Sequence, residues 1–192
     1  ITCRDWSSDV CSSDLSMIDP ARMANQPAPG RDCGSCTLCC KVYDVPAVES
    51  VAGSWCRHCL PGRGCGIHAT RPDHCRAFFC LWMTQSFLGP EWKPDKARFV
   101  LTMDPATSWL FVQLDPGAPQ AWRKEPYLTQ LRRWAAAGNR PVIVFLNKSA
   151  TAVMPDHDVP LGLIAADERL VLREELAGGR QRLTVAKVKA AA

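Results

Sequence analysis

The sequence predicts an α+β protein in two parts: a small cysteine-rich metal-binding module over residues 31–92, then a small α+β unit over 93–192 with a mostly antiparallel sheet. Three observations carry this expectation. Nine of the eleven cysteines fall between Cys33 and Cys80, and none follow. Past Trp92 the chain turns to short β-branched runs separated by Pro, Gly and Asp, the pattern of strands joined by turns. One amphipathic helix pattern stands among those runs, and no internal repeat is present.

Composition narrows the function classes. A chain of 192 residues with 47% hydrophobic content can bury a core, and no apolar run approaches the length that crosses a bilayer. The formal net charge of +4 is mild and its Lys and Arg are scattered, which argues against a dedicated nucleic-acid surface. Residues 1–30 are set apart. The stretch Arg4–Leu15, RDWSSDVCSSDL, is low in complexity and has no helical or strand period. It resembles translated sequencing-adapter read-through, so it is excluded from the fold together with Cys3 and Cys11. Met17 or Met23 is then the expected natural start, and Asn25–Gly30 a flexible lead-in. No signal-peptide pattern precedes the cysteines, so a reducing cytoplasm is expected. Nine is also an odd number for a paired disulfide framework.

The elements follow in order. Residues 31–82 hold too little Leu, Ile and Phe to fold on apolar burial alone, so ligation is expected to help hold them. Val42–Val51 offers a short strand or turn broken by Pro46. Thr70 is a fair helix N-cap, with Pro72 in the first turn and Asp73 three residues on. Cys75, Phe78, Phe79 and Trp82 would share one face of that helix, which should stop by Gly89-Pro90. Cys80 would then lie about 140° around the helix from Cys75. Either the helix breaks between them or the two sulfurs serve different places.

Ala97–Met103 and Ser108–Leu114 read as strands around the turn DPAT. Glu125–Ala137 reads as a helix with Pro126 near its start, a stripe of Tyr127, Leu131 and Trp134, and Gly138 with Pro141 at its end. Arg132 and Arg133 fall off that stripe, toward solvent. Pro141–Leu146 reads as a buried strand. Ala150–Met154, Leu170–Leu176 and Arg182–Val188 are further strands, with Gly178-Gly179 as a hairpin turn. Trp109, Trp122 and Trp134 are expected in packing rather than as a stacking platform for nucleic acid.

The cysteine spacing carries the chemistry: Cys33-x2-Cys36-x2-Cys39-Cys40, then Cys56-x2-Cys59, then Cys65, Cys75 and Cys80. Two intervening residues let a tight turn bring both sulfurs onto one cation, and thiolates so crowded repel unless a metal neutralises them. Zinc would take Cys33/Cys36 with Cys56/Cys59. An iron–sulfur cluster would take Cys33, Cys36 and Cys39, a run shared with bacterial ferredoxins, and a fourth ligand from Cys59, Cys65, Cys75 or Cys80. Nine thiols suffice for two four-coordinate sites with one spare, or for one site plus structural cysteines. Cys39 and Cys40, being adjacent, are expected to point apart. Arg57, Arg71 and Arg76 are candidates to offset thiolate charge, each with surface solvation as the plainer role. His58, His68 and His74 are candidate substitutes for a thiolate or hydrogen-bond donors beside one.

Read together, CGSCTLCC and GCGIHATRPDHCRAFFC followed by Trp82 resemble the CxxCxxCC cysteine-cluster proteins, described as zinc- or iron-chelating. The matching positions are Cys33, Cys36, Cys39, Cys40, Cys59, Cys65, Ile67, His68, Arg71, Pro72, Cys75, Arg76, Phe78 and Cys80, all within residues 33–82. His68 stands where the family commonly has Tyr. The resemblance implies a metal set of Cys33, Cys36, Cys39, Cys40, Cys59, Cys65, Cys75 and Cys80, holding an iron–sulfur cluster or a zinc ion. The family includes a flagellin lysine methylase with an iron–sulfur cluster, which tilts the expectation toward iron.

Other motifs give less. The chain has no GxGxxG, GxxxxGK[ST] or GxSxG, and Cys33-Gly-Ser-Cys36 lacks the βαβ context of a thioredoxin-like site. Asp156-His157-Asp158, between two prolines, reads as an exposed turn. Three functions follow as expectations. First is a metal-thiolate protein whose centre is structural or carries electrons, the second part serving as scaffold or docking a protein partner. Second is a redox or group-transfer enzyme using the cluster, its small-molecule substrate unknown. Third is a zinc-ribbon-like nucleic-acid or protein adaptor.

Overall fold

The structure is a computed structural model that describes residues 26–190. The tract Arg4–Leu15, Cys3, Cys11 and both candidate start methionines lie outside the described residues. The fold is α+β with mostly antiparallel sheets, as the sequence predicts. Its central sheet has five strands in the order β3-β4-β5-β6-β7: Phe99–Met103, Leu110–Leu114, Val142–Leu146, Ser149–Val153 and Asp158–Leu163. All neighbours are antiparallel except β4 and β5. That parallel pair needs a crossover, and helix α5 (Tyr127–Gly138) lies within it. The helix ends at Gly138 with Asn139 in the left-handed conformation, its N–H returning to Ala135 and Ala136.

Alternation along the strands gives the sheet two buried faces. Val112, Val142, Val144 and Val153 join Leu131, Trp134 and Ala135 of α5 in one cluster. Ile143, Ala150 and Ala152 join Trp109, Leu161 and Val185 in a second. Burial on both faces explains the unbroken apolar run at the centre of the sheet. The second face is covered by the hairpin of β8 (Glu168–Ala177) and β9 (Arg180–Lys189), which turns at Gly178-Gly179, both with positive φ.

The cysteine segment is made of short pieces: helix α1 (Cys39–Val42), a two-stranded ladder β1 (Cys59–Leu60) and β2 (Gly64–Cys65), α2 (Asp73–Ala77) and α3 (Leu81–Thr84). Pro46–Val48 is a single 3-10 turn, closed by a bridge between Val45 and Ser50. Leu38, Val42, Leu81, Trp82, Met83 and Leu88 sit in the same cluster as the sheet and α5, so the core crosses the boundary placed after Trp92. Helix α4 (Pro94–Ala97) leads into β3.

Several expectations are corrected here. One helix from Thr70 toward Gly89 is two short ones, because Phe78 and Cys80 adopt extended backbone and end the first turn of hydrogen bonds. Thr70 does not cap it; the residue before α2 is Pro72, and no side chain caps that helix. The lead-in is docked where it is described, with Ala28 N–H donating to Met83 O at 2.8 Å. Arg132 is tied down, its guanidinium donating to Met154 O and Asp158 at 3.0 Å each. Asp158 therefore opens a strand and pairs with Arg132 and Arg123 instead of ending an exposed turn. The strand β7 escaped sequence reading because Pro160 and Gly162 break its period.

Candidate metal centre

Three stretches of chain supply the nine thiols, and local hydrogen bonds shape each. In the first, Cys36 N–H donates to Cys33 O at 2.8 Å, and Gly34 takes the positive φ this tight turn requires. Cys39 and Cys40 open α1. In the second, Cys59 N–H donates to Cys56 O at 2.9 Å, a second turn of the same kind. Cys59 and Cys65 are then direct partners across the β1–β2 ladder, so their Cα atoms face each other. In the third, Cys75 rides on α2 and Cys80 precedes α3.

Two backbone ties join the first stretch to the second. Cys56 N–H donates to Cys40 O at 2.9 Å. The buried Thr37 hydroxyl accepts from Gly62 N–H at 3.2 Å. All nine cysteines are free thiols; Cys59 and Cys80 are buried, Cys33 is exposed, and the others lie between. Cys56, part of the zinc assignment but absent from the set that the family resemblance implies, shares the second turn with Cys59. Thr37 carries no signal in the sequence at all.

Cys33, Cys36, Cys40, Cys59, Cys75 and Cys80 sit in an environment that disfavours ionisation. The Cys40 thiol is raised most, first by the Cys39 thiol beside it and then by burial, with Cys59 and Arg71 opposing. Burial pushes Cys59 up to about 11, and Cys40 and Cys56 add to the rise while Thr37 opposes it. Burial likewise pushes Cys80 up to about 11, with Cys33 and Cys36 adding. Cys33, Cys36 and Cys75 are raised chiefly by burial. A raised thiol holds its proton more tightly, and a cation that takes the proton's place neutralises the thiolates it gathers.

Cys75 and Cys80 have different neighbours: Cys40, Cys56 and Cys65 for the first, Cys33 and Cys36 for the second. Of the two alternatives raised for that pair, the first holds: the helix breaks between them. Among the described residues, no three His, Cys, Asp or Glu side chains already converge as a ligand set. The donors are soft thiols on preformed turns, chemistry that suits zinc or an iron–sulfur cluster.

The basic residues separate. Arg57 pairs with Glu49 at 3.0 Å on the surface, and Arg76 donates to Arg71 O at 2.8 Å. The buried Nε of Arg71 has no hydrogen-bond partner among the described residues. Its charge acts on Cys33, Cys40 and Cys75. His68 and His74 are exposed. A cavity of about 230 Å³ is lined by Tyr43, Phe78, Phe79, Leu81, Thr102 and Met103, two of which, Phe79 and Leu81, flank Cys80 in the chain. The Tyr43 ring packs on Phe78 with centroids 5.0 Å apart, and its hydroxyl is buried.

No family model, no curated protein and no solved structure matches this chain. Among the described residues no helix is long and apolar enough to cross a membrane.

Proposed function

We propose that this chain is a metal-thiolate protein of the CxxCxxCC cysteine-cluster type, with an iron–sulfur cluster preferred over zinc, its centre structural or electron-carrying. One observation carries the reading. Nine thiols lie on three stretches free of disulfides, and two of the three Cys-x2-Cys spacings, Cys33/Cys36 and Cys56/Cys59, close in the tight turns that ligand pairs need. Bound metal would tie these stretches together and supply the neutralising charge that crowded thiolates require. Free thiols suit the reducing cytoplasm. Val51, Trp55 and Leu60, large apolar side chains left exposed on the cysteine segment, favour a protein partner there.

A second reading, a redox or group-transfer enzyme, is favoured by the cavity lined by Tyr43, Phe79 and Leu81, the last two flanking Cys80 in the chain. Its substrate would be a small molecule lying against Tyr43. The decisive experiment for the first reading is anaerobic purification followed by iron, zinc and acid-labile sulfide analysis with a visible spectrum. Iron with sulfide and broad absorbance at roughly 400 nm is expected. A colourless protein with stoichiometric zinc overturns the iron preference, and a protein that takes up neither overturns the proposal.

A further inference from the structure

We infer that Cys59 and Cys65 form a thiol–disulfide modification site: a low-molecular-weight disulfide such as oxidised glutathione closes them into a cross-strand bond, which withdraws both sulfurs from metal. The bond itself stands on the backbone of the β1–β2 hairpin. Only the withdrawal rests on the metal-thiolate reading.

The ladder sets the pair. Cys59 and Cys65 are register partners, and so are Leu60 and Gly64 beside them. Gly66 N–H donates to His58 O at 2.8 Å. In an antiparallel ladder, opposed pairs alternate between those that exchange backbone hydrogen bonds and those that do not. The bond from Gly66 makes 58 and 66 a bonded pair, so Cys59 and Cys65 are a non-bonded one. Partners of that kind come closest, with Cα atoms about 4.5 Å apart and side chains on one face. Disulfides span Cα separations of about 4.4–6.8 Å. The backbone therefore already holds the spacing that the bond needs.

The hairpin is also held from outside. Arg63 N–H donates to Leu60 O at 2.8 Å across the turn, where Gly62 and Gly64 take positive φ. The Thr37 hydroxyl accepts from Gly62 N–H at 3.2 Å, which ties the tip to the residues before α1. Cys56 is the rival partner for Cys59, and one backbone bond closes their turn. Among the described residues, Cys59 and Cys65 are the cysteines that stand opposed across a ladder. Two thiols kept in register react as one molecule, which favours closure over renewed attack by free glutathione.

The exchange balances with no further reactant. Both cysteines are free thiols, and Cys65 is the less buried. Its thiolate attacks one sulfur of oxidised glutathione, the S–S bond breaks, and one glutathione thiolate leaves. The Cys59 thiolate then attacks the Cys65 sulfur of this mixed disulfide and expels the second glutathione. Two electrons pass from the cysteines to the oxidant, and the two protons they give up end on the two glutathione thiols. A sulfur in a disulfide has lost the thiolate charge with which it ligates a metal. Cys59 and Cys65 both belong to the expected ligand set, so the bond removes two of its donors.

The test uses the full chain, purified anaerobically with the metal it carries, exposed to excess oxidised glutathione, alkylated and digested. Trypsin cuts after Arg57, Arg63 and Arg76, while Pro72 shields Arg71. The bond then links peptide 58–63 to peptide 64–76, with Cys75 alkylated. Tandem mass spectrometry should find this link as the dominant product of the folded chain, against mixed pairings from the chain in guanidinium chloride. Cys65→Ser should abolish it, and Cys56→Ser should leave it in place. A dominant Cys56–Cys59 bond, or no Cys59–Cys65 bond at any excess of oxidant, overturns the site. Metal released to a chromogenic chelator should rise in step with the bond and return to the protein after dithiothreitol. A bond formed with all metal retained overturns the withdrawal. A chain that carries no metal before oxidation overturns the metal-thiolate reading and the withdrawal with it, and the mapped link still decides the site.

Discussion

The five-stranded sheet and the cysteine segment are held by different physics. In the sheet, Phe99, Val112, Ile143, Ala152 and Val153 are each 0% exposed, and both faces are covered by protein. In the segment from Cys33 to Cys80 the helices run to five residues at most and the ladder pairs two residues with two. Its buried apolar residues, Leu38, Val42 and Val48 among them, are few. Short pieces of this kind bury too little to offset the entropy of ordering them. The contrast marks where the proposed ligation would act: the sheet has a two-sided core of its own, and the segment has few buried apolar residues.

Metal removal is the largest way to break that contrast. Structural zinc contributes on the order of 10 kcal/mol in small metal-folded domains. Stripping the metal with a chelator under reducing conditions should therefore abolish hydrogen-exchange protection in residues 33–80 and spare β3 to β6. Uniform loss across the chain would show that the two regions fold as one. The reverse experiment is Phe99→Ala. Phe99 lies against Tyr127, with centroids 5.1 Å apart, and is fully buried. A cost of about 3–5 kcal/mol is expected from the denaturant midpoint. The metal content of the folded variant should stay unchanged.

Legibility in the sequence followed the same divide. The sheet strands and α5 could be read because a two-sided core imposes long β-branched runs and a helical stripe, as in Val142–Leu146 and Tyr127–Trp134. The cysteines could be read as a group because their spacing is a chemical constraint that survives without regular structure. What could not be read was their sorting. Cys75 and Cys80 appear to be on one helix until Phe78 and Cys80 turn extended. The pairing of Cys59 with Cys65 depends on a turn at Pro61 to Arg63 that has no hydrophobic period. Thr37 and Tyr43 matter only through residues far along the chain, and single-sequence patterns carry no such contacts.

The two regions meet at Asp115, where a smaller effect is expected. Its side chain is 2% exposed and takes Lys41 of α1 at 2.8 Å and Arg98 at 2.6 Å. Burial works to raise its pKa, but the Lys41 hydrogen bond, the Gly117 N–H and Arg98 together hold the carboxyl below its ordinary value. A depressed folded pKa stabilises the fold fully above the unfolded value, and that stability drains as pH falls through the folded one. Asp115→Ala should cost about 2–3 kcal/mol at pH 7. In the variant the acid limb of the stability profile should flatten below about pH 4. If the limb is unchanged, the carboxylate does not link the regions.

The smallest prediction concerns the second joint, Gly53 against Asn147. Gly53 has φ +93, its N–H donates to Lys41 O at 2.7 Å, and a Cβ there would stand 2.7 Å from Asn147 Oδ1. Gly53→Ala therefore carries two costs, a left-handed backbone that alanine resists and a clash with the turn between β5 and β6. Together they should amount to about 1–2 kcal/mol. Asn147 itself has φ 54, so Asn147→Gly removes the clashing side chain without straining its own turn. The double variant should recover the clash and keep the backbone cost, giving a coupling of about 0.5–1 kcal/mol by thermal or denaturant unfolding. Zero coupling would mean that the segment and the sheet touch here without bearing on one another, and that Asp115 and the shared apolar core are what join them.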